Sequence, residues 1–297
     1  MLTFAGLMSC YQLIFVKNMQ SLQERIETLY DITAEDLRLR KELPQLFSDF
    51  TAALERGVVR AAEQDKDGLW QVNQWVKRGI ILLFRAGVLT DISMGGFPFF
   101  DKSTLPLRSF SIADGVRIVP GGSAVRAGSH VANGVICMPP MYINIGAYID
   151  EGSMIDSHAL VGTCAQIGKR VHISAAAQIG GVLEPAGARP VIVEDDVMIG
   201  GNCGVYEGVT IRRRAVLGSG VILNSSTAVF DVIKERVLRS SADSPLEIPE
   251  GAVIIPGSRP LDTVFGRAHG LSTITPIIIK YRDEKTDAKT ALESALR

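Results

Sequence analysis

A chain of 297 residues, 46% hydrophobic and 21% charged, can hold a sizeable core with smaller units appended to it. Its 31 Lys and Arg nearly cancel its 32 Asp and Glu, for a formal net charge of −1. Without a long basic run, no large nucleic-acid footprint is expected, and without an apolar segment of about 18–20 residues, no membrane span.

In chain order, residues 1–18 are fairly apolar but have neither a basic leader nor a small-residue cleavage site, so they make a poor signal peptide. They read either as an extension outside the fold or as an N-terminal helix. Ser21 and Glu24 form a capping-box pattern ahead of the stripe Leu22, Ile26 and Leu29. Thr33 with Asp36 is a second helix start, and Leu46, Phe47, Phe50 and Leu54 line one face up to Gly57. Val58–Ala62 and Leu69–Val72, split by a polar Asp65–Gly68, read as a short hairpin. Gln74–Ala86 reads as a helix with Gly87 at its C-cap. Residues 19–115 are therefore expected to be a mostly helical N-terminal domain with a loop-rich connection.

From Val119 onward the pattern changes. Apolar residues recur every six positions, from Val119 through Val125, Val131, Cys137 and Ile143 to Ile179, and again from Val193 to Leu223. A helix would require spacings near 3.6, and six does not supply them. A fixed short period with Gly and Asp between the apolar positions is the mark of a β-solenoid. Each hexad is one side of a prism, eighteen residues make one coil, and the inward Ile and Val stack at about 4.8 Å per coil. Residues 116–257 are assigned to this prism. Between Ile179 and Val193 the gap of fourteen is read as two hexads plus two extra residues, with a loop at 182–191 thrown off one corner by Pro185 and Pro190. After Leu223 the period fades. Ala252–Gly257 and Ile277–Tyr281 are strand candidates, and Asp287–Leu296 is a C-terminal helix candidate. Residues 258–297 form a C-terminal strand and helix extension.

The inward positions are aliphatic, so chemistry belongs on outer faces, corners and loops. Asp150, Glu151 and Asp156 are the carboxylates of the first coils, and Arg117 stands just ahead of them. A guanidinium fork suits a carboxylate ligand, although from chemistry alone a solvated surface charge is the better reading of either residue. Cys10, Cys137, Cys164 and Cys203 lack metal-ligand spacing. They read as free thiols of a reducing compartment, with Cys137 and Cys203 on inward positions. His130, His158, His172 and His269 do not have the spacing of three imidazoles converging on zinc.

The hexad pattern resembles the hexapeptide-repeat acyltransferases, whose solenoid is a left-handed parallel β-helix. Longer stretches are more specific. Met141–Asp156, Gly162–Lys169 and Ile179–Pro185 resemble the tetrahydrodipicolinate N-succinyltransferase family, as do Gln74–Lys77, Tyr281 and Asp287–Thr290. The resemblance implies transfer of a succinyl group from succinyl-CoA to tetrahydrodipicolinate, on the route to diaminopimelate and lysine. The alternative on the same prism is an N-acetyltransferase or another acyl-CoA transferase, and a non-catalytic solenoid is the third reading. Succinyl-CoA would be a co-substrate, with no cofactor and no metal. The family also implies a cytoplasmic homotrimer with sites between subunits. By the same resemblance, Arg117 binds a substrate carboxylate and Asp156 contacts the amine-bearing centre as general base or orienting group. Gly181 brings backbone to the acyl group, and Lys280 lies near the CoA. One departure stands out. Where the family often carries a second important glutamate, this chain has Gly204, and the nearest carboxylate, Glu207, is three residues on. Glu207 is either a catalytic candidate or a solvated charge.

Overall fold

A computed structural model describes residues 21–241 and 244–283. The candidate extension at 1–18, the candidate helix at 287–296 and the stretch Asp287–Thr290 lie outside the described residues.

The N-terminal unit is built on four helices: α1 over 21–29, α2 (Ala34–Arg38), α3 (Leu43–Glu55) and α4 (Gln74–Ala86). The Thr33 hydroxyl accepts the Asp36 N–H at 3.2 Å and starts α2 as an N-cap. Leu22, Ile26, Leu46, Phe50, Leu54, Ile80 and Leu83 recur at helical spacing and pack into one buried cluster. The hairpin pairs Ala62–Gln64 with Trp70–Val72. Gly87 ends α4 differently from the expected left-handed cap, because its backbone is extended (φ −64°, ψ 138°). What demands glycine there is space. A Cβ would lie 2.3 Å from the Thr104 hydroxyl, which itself donates to the Leu83 carbonyl.

Two-residue strands then step round three parallel sheets. On the covered face His130–Val131, Tyr148–Ile149, Gln166–Ile167, Ile192–Val193, Thr210–Ile211 and Glu247–Ile248 stack in register. The second face is ten-stranded and includes Arg117–Ile118, Ile136–Cys137, Met154–Ile155, His172–Ile173 and Met198–Ile199. The third runs Ala124–Val125, Tyr142–Ile143, Leu160–Val161, Gln178–Ile179, Gly204–Val205 and Ile222–Leu223. One residue of each pair points inward, and these rungs form a single buried column from Val125 to Ile278. Each fully buried Val, Leu or Ile contributes roughly 1.5–3 kcal/mol.

The corner loop corrects the spacing read from the sequence. Ile167 pairs with Val193 and Ile179 with Val205, each 26 residues on, so Ile179 to Val193 is one side of the prism and not two. Eight residues beyond the usual hexad leave the corner as a loop, and the next face resumes in register. The chain cannot spend the surplus on another side, because Pro185 and Pro190 have no N–H for a ladder.

The covered face takes its name from the helical unit seated on it. Arg60 lies 3.6 Å from the centre of the Tyr148 ring and donates to Gln166 Oε1 at 3.0 Å. Trp70 Nε1 donates to Glu194 Oε1 at 3.0 Å, and the Gly128 N–H to Glu55 Oε1 at 2.9 Å. Between the covered and ten-stranded faces, one edge carries charges whose sign alternates from coil to coil. Asp150 and Glu151 are followed by Lys169 and Arg170, then Asp195 and Asp196, then Arg213 and Arg214. Lys169 meets Glu151 at 3.0 Å, and Arg170 grips Asp196 through two bonds of 2.7 and 2.8 Å.

At the far end, two segments read only as fading period form an antiparallel pair, Val229–Asp231 with Arg236–Leu238. The last strands, Ala252–Pro260 and Ser272–Tyr281, run antiparallel and extend the ten-stranded face.

Candidate active site

A groove of about 850 Å³ opens where the third face turns into the covered face. Several parts of the chain wall it. Gly180, Gly181, Tyr206, Glu207 and Gly208 come from successive corners, Glu184 and Gly187 to Arg189 from the loop, Val72 from the hairpin, and Ser240, Ser241, Ser244 and Pro245 from the C-terminal segment. The loop is fixed from the helical unit. The Lys77 ammonium, on α4, donates to the Ala188 carbonyl, and Arg189 donates to the Trp70 carbonyl at 2.8 Å.

Gly181 presses backbone against backbone. A Cβ there would lie 2.6 Å from the Thr163 nitrogen, and one on Gly162 would lie 2.2 Å from the Gly181 nitrogen. This close packing brings the main chain of two coils to the groove surface, where Gly181 is exposed. Its N–H donates to no backbone oxygen among the described residues. An accessible, unspent N–H fixed in a rigid corner can stabilise a developing oxyanion.

Glu207 also lines the groove, in the left-handed region at φ 53°. Its carboxylate accepts the Ser225 N–H at 3.1 Å and the Ser225 hydroxyl, and these bonds hold its pKa below the usual glutamate value. A carboxylate so stabilised is a poorer proton acceptor than a free one. Gly204 is buried beneath the Tyr206 ring, and a Cβ on it would lie 2.4 Å from Tyr206 Cε2. A glutamate at 204 and the present position of Tyr206 exclude one another. The departure noted in the sequence is thus a paired one, with the side chain missing at 204 replaced in space by the ring from 206.

Arg117 and Asp156 lie elsewhere, together on the ten-stranded face. Arg117 is exposed and heads an outward row with Ile136, Met154 and His172. Asp156 follows Met154 at the corner, two coils along, or about 10 Å on the coil spacing. Its Oδ1 accepts the Ser157 N–H at 2.7 Å, and its Oδ2 lies 3.6 Å from His172 Nε2. Sequence reading passed over His172. The signal was present, since sixteen residues in an eighteen-residue coil places His172 one turn up and two residues back, beside Asp156. His158, nearer in sequence, is an exposed corner residue at φ 61°.

Lys280, in the last strand, lies 3.3 Å from Asp283 and outside the groove lining. Cys164 is fully buried, and burial pushes its thiol up to about 12, so it is no nucleophile at neutral pH. No group of three or more His, Cys, Asp or Glu side chains converges as a metal site among the described residues.

The candidate residues therefore fall into two separated pairs. Gly181 and Glu207 share the groove, Arg117 and Asp156 share the ten-stranded face, and the third face of the prism separates the two pairs.

Parallel coils of hexads, a helical unit docked on one face and a groove at a looped corner define a hexapeptide-repeat transferase. Residues 21–86 match the family described as tetrahydrodipicolinate N-succinyltransferase N-terminal, and residues 190–225 match the hexapeptide repeat of succinyl-transferase. Similar proteins include the 2,3,4,5-tetrahydropyridine-2,6-dicarboxylate N-succinyltransferases of Nitrobacter winogradskyi and Afipia carboxidovorans. The first is 41% identical over 87% of this chain and 91% of that protein. The second is 38% identical over 94% of this chain and 99% of that protein. The chain belongs to the tetrahydrodipicolinate N-succinyltransferase family. Among the described residues no helix is long and apolar enough to cross a membrane.

Proposed function

We propose that the chain moves the succinyl group of succinyl-CoA to the amine of ring-opened tetrahydrodipicolinate, giving N-succinyl-2-amino-6-oxopimelate and CoA. The observation that carries this reading is the exposed, unspent Gly181 N–H in a groove of about 850 Å³, in a chain of this family. The acyl-CoA lies along the groove with its thioester carbonyl at Gly181. Arg117 holds a carboxylate of the acceptor through paired hydrogen bonds. Lys280 serves the far end of the CoA.

The acceptor amine must be neutral to attack. Asp156 takes the proton released as nitrogen bonds to the thioester carbon. Its second oxygen, already opposed to the His172 imidazole, has a neighbour that can share the proton. The oxyanion is stabilised by the Gly181 N–H, the C–S bond breaks, and CoA leaves as the thiol once its sulfur is protonated. No acyl-enzyme forms, so no nucleophilic side chain is required. Orientation of two bound reactants supplies much of the acceleration. Glu207, committed to Ser225, holds the groove wall and transfers no proton.

Because one chain keeps the two pairs a prism side apart, the complete site forms between copies. One copy offers the Gly181 groove and its neighbour offers Asp156 and Arg117, in a threefold assembly of left-handed prisms in the cytoplasm. Asp156→Asn lowers kcat by about 100-fold or more, in the range expected for loss of acid–base catalysis. Arg117→Ala raises KM for the acceptor. Assays with succinyl-CoA and acetyl-CoA test the donor. If both variants keep full turnover while folded, the site assignment falls, and a strong preference for acetyl-CoA makes the chain an N-acetyltransferase instead.

A further inference from the structure

Tyr206 holds an unusual place in the groove. On the third face the outward row runs Tyr142, Leu160, Gln178, Gly204 and Ile222 in register. Gly204 interrupts that row with no side chain. The Tyr206 ring fills the gap, folding back from the corner so that Cδ1 lies over Gly180 and Cε2, Cζ and the hydroxyl lie over Gly204. A side chain on either glycine would collide with it, at 2.7 Å for Gly180 and 2.4 Å for Gly204. The ring is therefore seated on a floor cleared of Cβ atoms in two successive coils, beside Gly181.

Its hydroxyl is also distinctive. The other polar side chains of the groove are largely committed to the protein. Glu207 is held by Ser225, Ser240 donates to the Ser225 carbonyl, and Ser241 and Ser244 bond each other at 2.8 Å. Arg189 is spent on the Trp70 carbonyl and, at 3.5 Å, on Glu247. The Tyr206 hydroxyl has no hydrogen-bond partner among the described residues. It is a donor left over for a ligand, fixed by ring packing over Gly204, in the same groove as the position assigned to the acyl group.

We propose that Tyr206 determines the acyl donor: its hydroxyl donates a hydrogen bond to the distal carboxylate of the succinyl group while its ring sets the depth of the groove. The proposal rests on the assignment of the acyl group to Gly181. A phenol suits the task, since it recognises a carboxylate without adding a charge beside Glu207 and Glu184. The hydrogen bond is to an ionised group and is of the stronger kind.

The test uses the full chain, with Tyr206→Phe removing the oxygen and Tyr206→Val removing the ring. kcat/KM for succinyl-CoA is measured together with the inhibition constant of free CoA, which lacks the acyl group. Far-ultraviolet circular dichroism and a thermal melt establish that each variant is folded. Tyr206→Phe is expected to lower kcat/KM for succinyl-CoA about ten- to hundredfold and to leave CoA inhibition within twofold of the parent. Tyr206→Val is expected to lower kcat/KM at least as far. A fall of less than tenfold in Tyr206→Phe, or a parallel weakening of CoA inhibition, overturns the proposal and leaves the succinyltransferase reading standing. An unaltered chain that transfers nothing from succinyl-CoA overturns both.

Discussion

Lys77 offers a test of how the groove is held together. Its side chain is fully buried at the junction of α4, the corner loop and Cys164. The ammonium donates to the Ala188 carbonyl, and no carboxylate is bonded to it among the described residues. Burial lowers its pKa, an effect only partly opposed by the neighbouring Cys164. Lys77→Met keeps the stem and removes the charge. Two energies then oppose each other. The ammonium no longer has to be desolvated, a cost of several kcal/mol for a buried ion. The Ala188 carbonyl loses its donor, worth roughly 1.5–3 kcal/mol for a charged hydrogen bond. Global stability is therefore expected to hold or rise, with Tm falling by no more than about 4 °C. The loop alone loses its tether, and hydrogen exchange at the amides of residues 183, 184 and 186–189 is expected to quicken about 10- to 100-fold, the same energy read as local opening. The pH dependence follows in sign. A lysine whose folded pKa lies below its ordinary 10.5 binds its proton less readily when folded, so stability rises with pH from the lowered value up to 10.5. Lys77→Met should remove that alkaline rise. A drop in Tm of more than about 10 °C with unchanged loop exchange would refute the reasoning and make the ammonium a pillar of the core instead of a tether.

Other predictions concern the prism. Ile167→Ala empties a fully buried rung between Ile149 and Val193 and is expected to cost about 2–5 kcal/mol in urea unfolding; a loss under 1 kcal/mol would mean the column can collapse round the gap. Asp231 is buried, which works to raise its pKa, but bonds from Tyr281 at 2.7 Å, Arg236 and two backbone N–H groups outweigh this and leave it below 3.8. Its contribution is present above pH 3.8 and lost as pH falls through the lower folded value. Asp231→Asn should flatten that part of the acid unfolding curve, which a pH titration of stability will detect. Arg170→Glu places like charge against Asp196 and should cost about 1 kcal/mol, given the exposure of the pair. Combining it with Asp196→Arg should recover most of that loss, and failure to do so in a double-mutant cycle would show that the pair contributes nothing.

The fold was legible because a rung is a local fact: an apolar residue every six positions fixes which way each side chain points, whatever surrounds it. The length of the corner loop was not, since counting hexads cannot distinguish a surplus used as a side from one thrown outward. Only the pairing of Ile167 with Val193 decides it. The hairpin of Val229–Asp231 and Arg236–Leu238 lacked a period and was missed. At the candidate site, Gly181 and Asp156 were found through a resemblance, whereas the Asp156–His172 contact follows from coil arithmetic that spacing alone permits. The Tyr206 ring over Gly204 was hidden for a different reason. Nothing in a sequence says that a side chain will fold back over a neighbour two positions earlier until the missing Cβ atoms are seen to leave it room.

The edge on which acidic and basic corners alternate has a consequence for how such a protein can lengthen. Gain or loss of a single turn would set acid beside acid, or base beside base, at the junction where it occurs. Gain or loss of two turns would restore the order. Lengthening by pairs therefore keeps every corner opposed to the opposite sign, and a chain that skips one turn while folding meets repulsion at the corner where the skip falls.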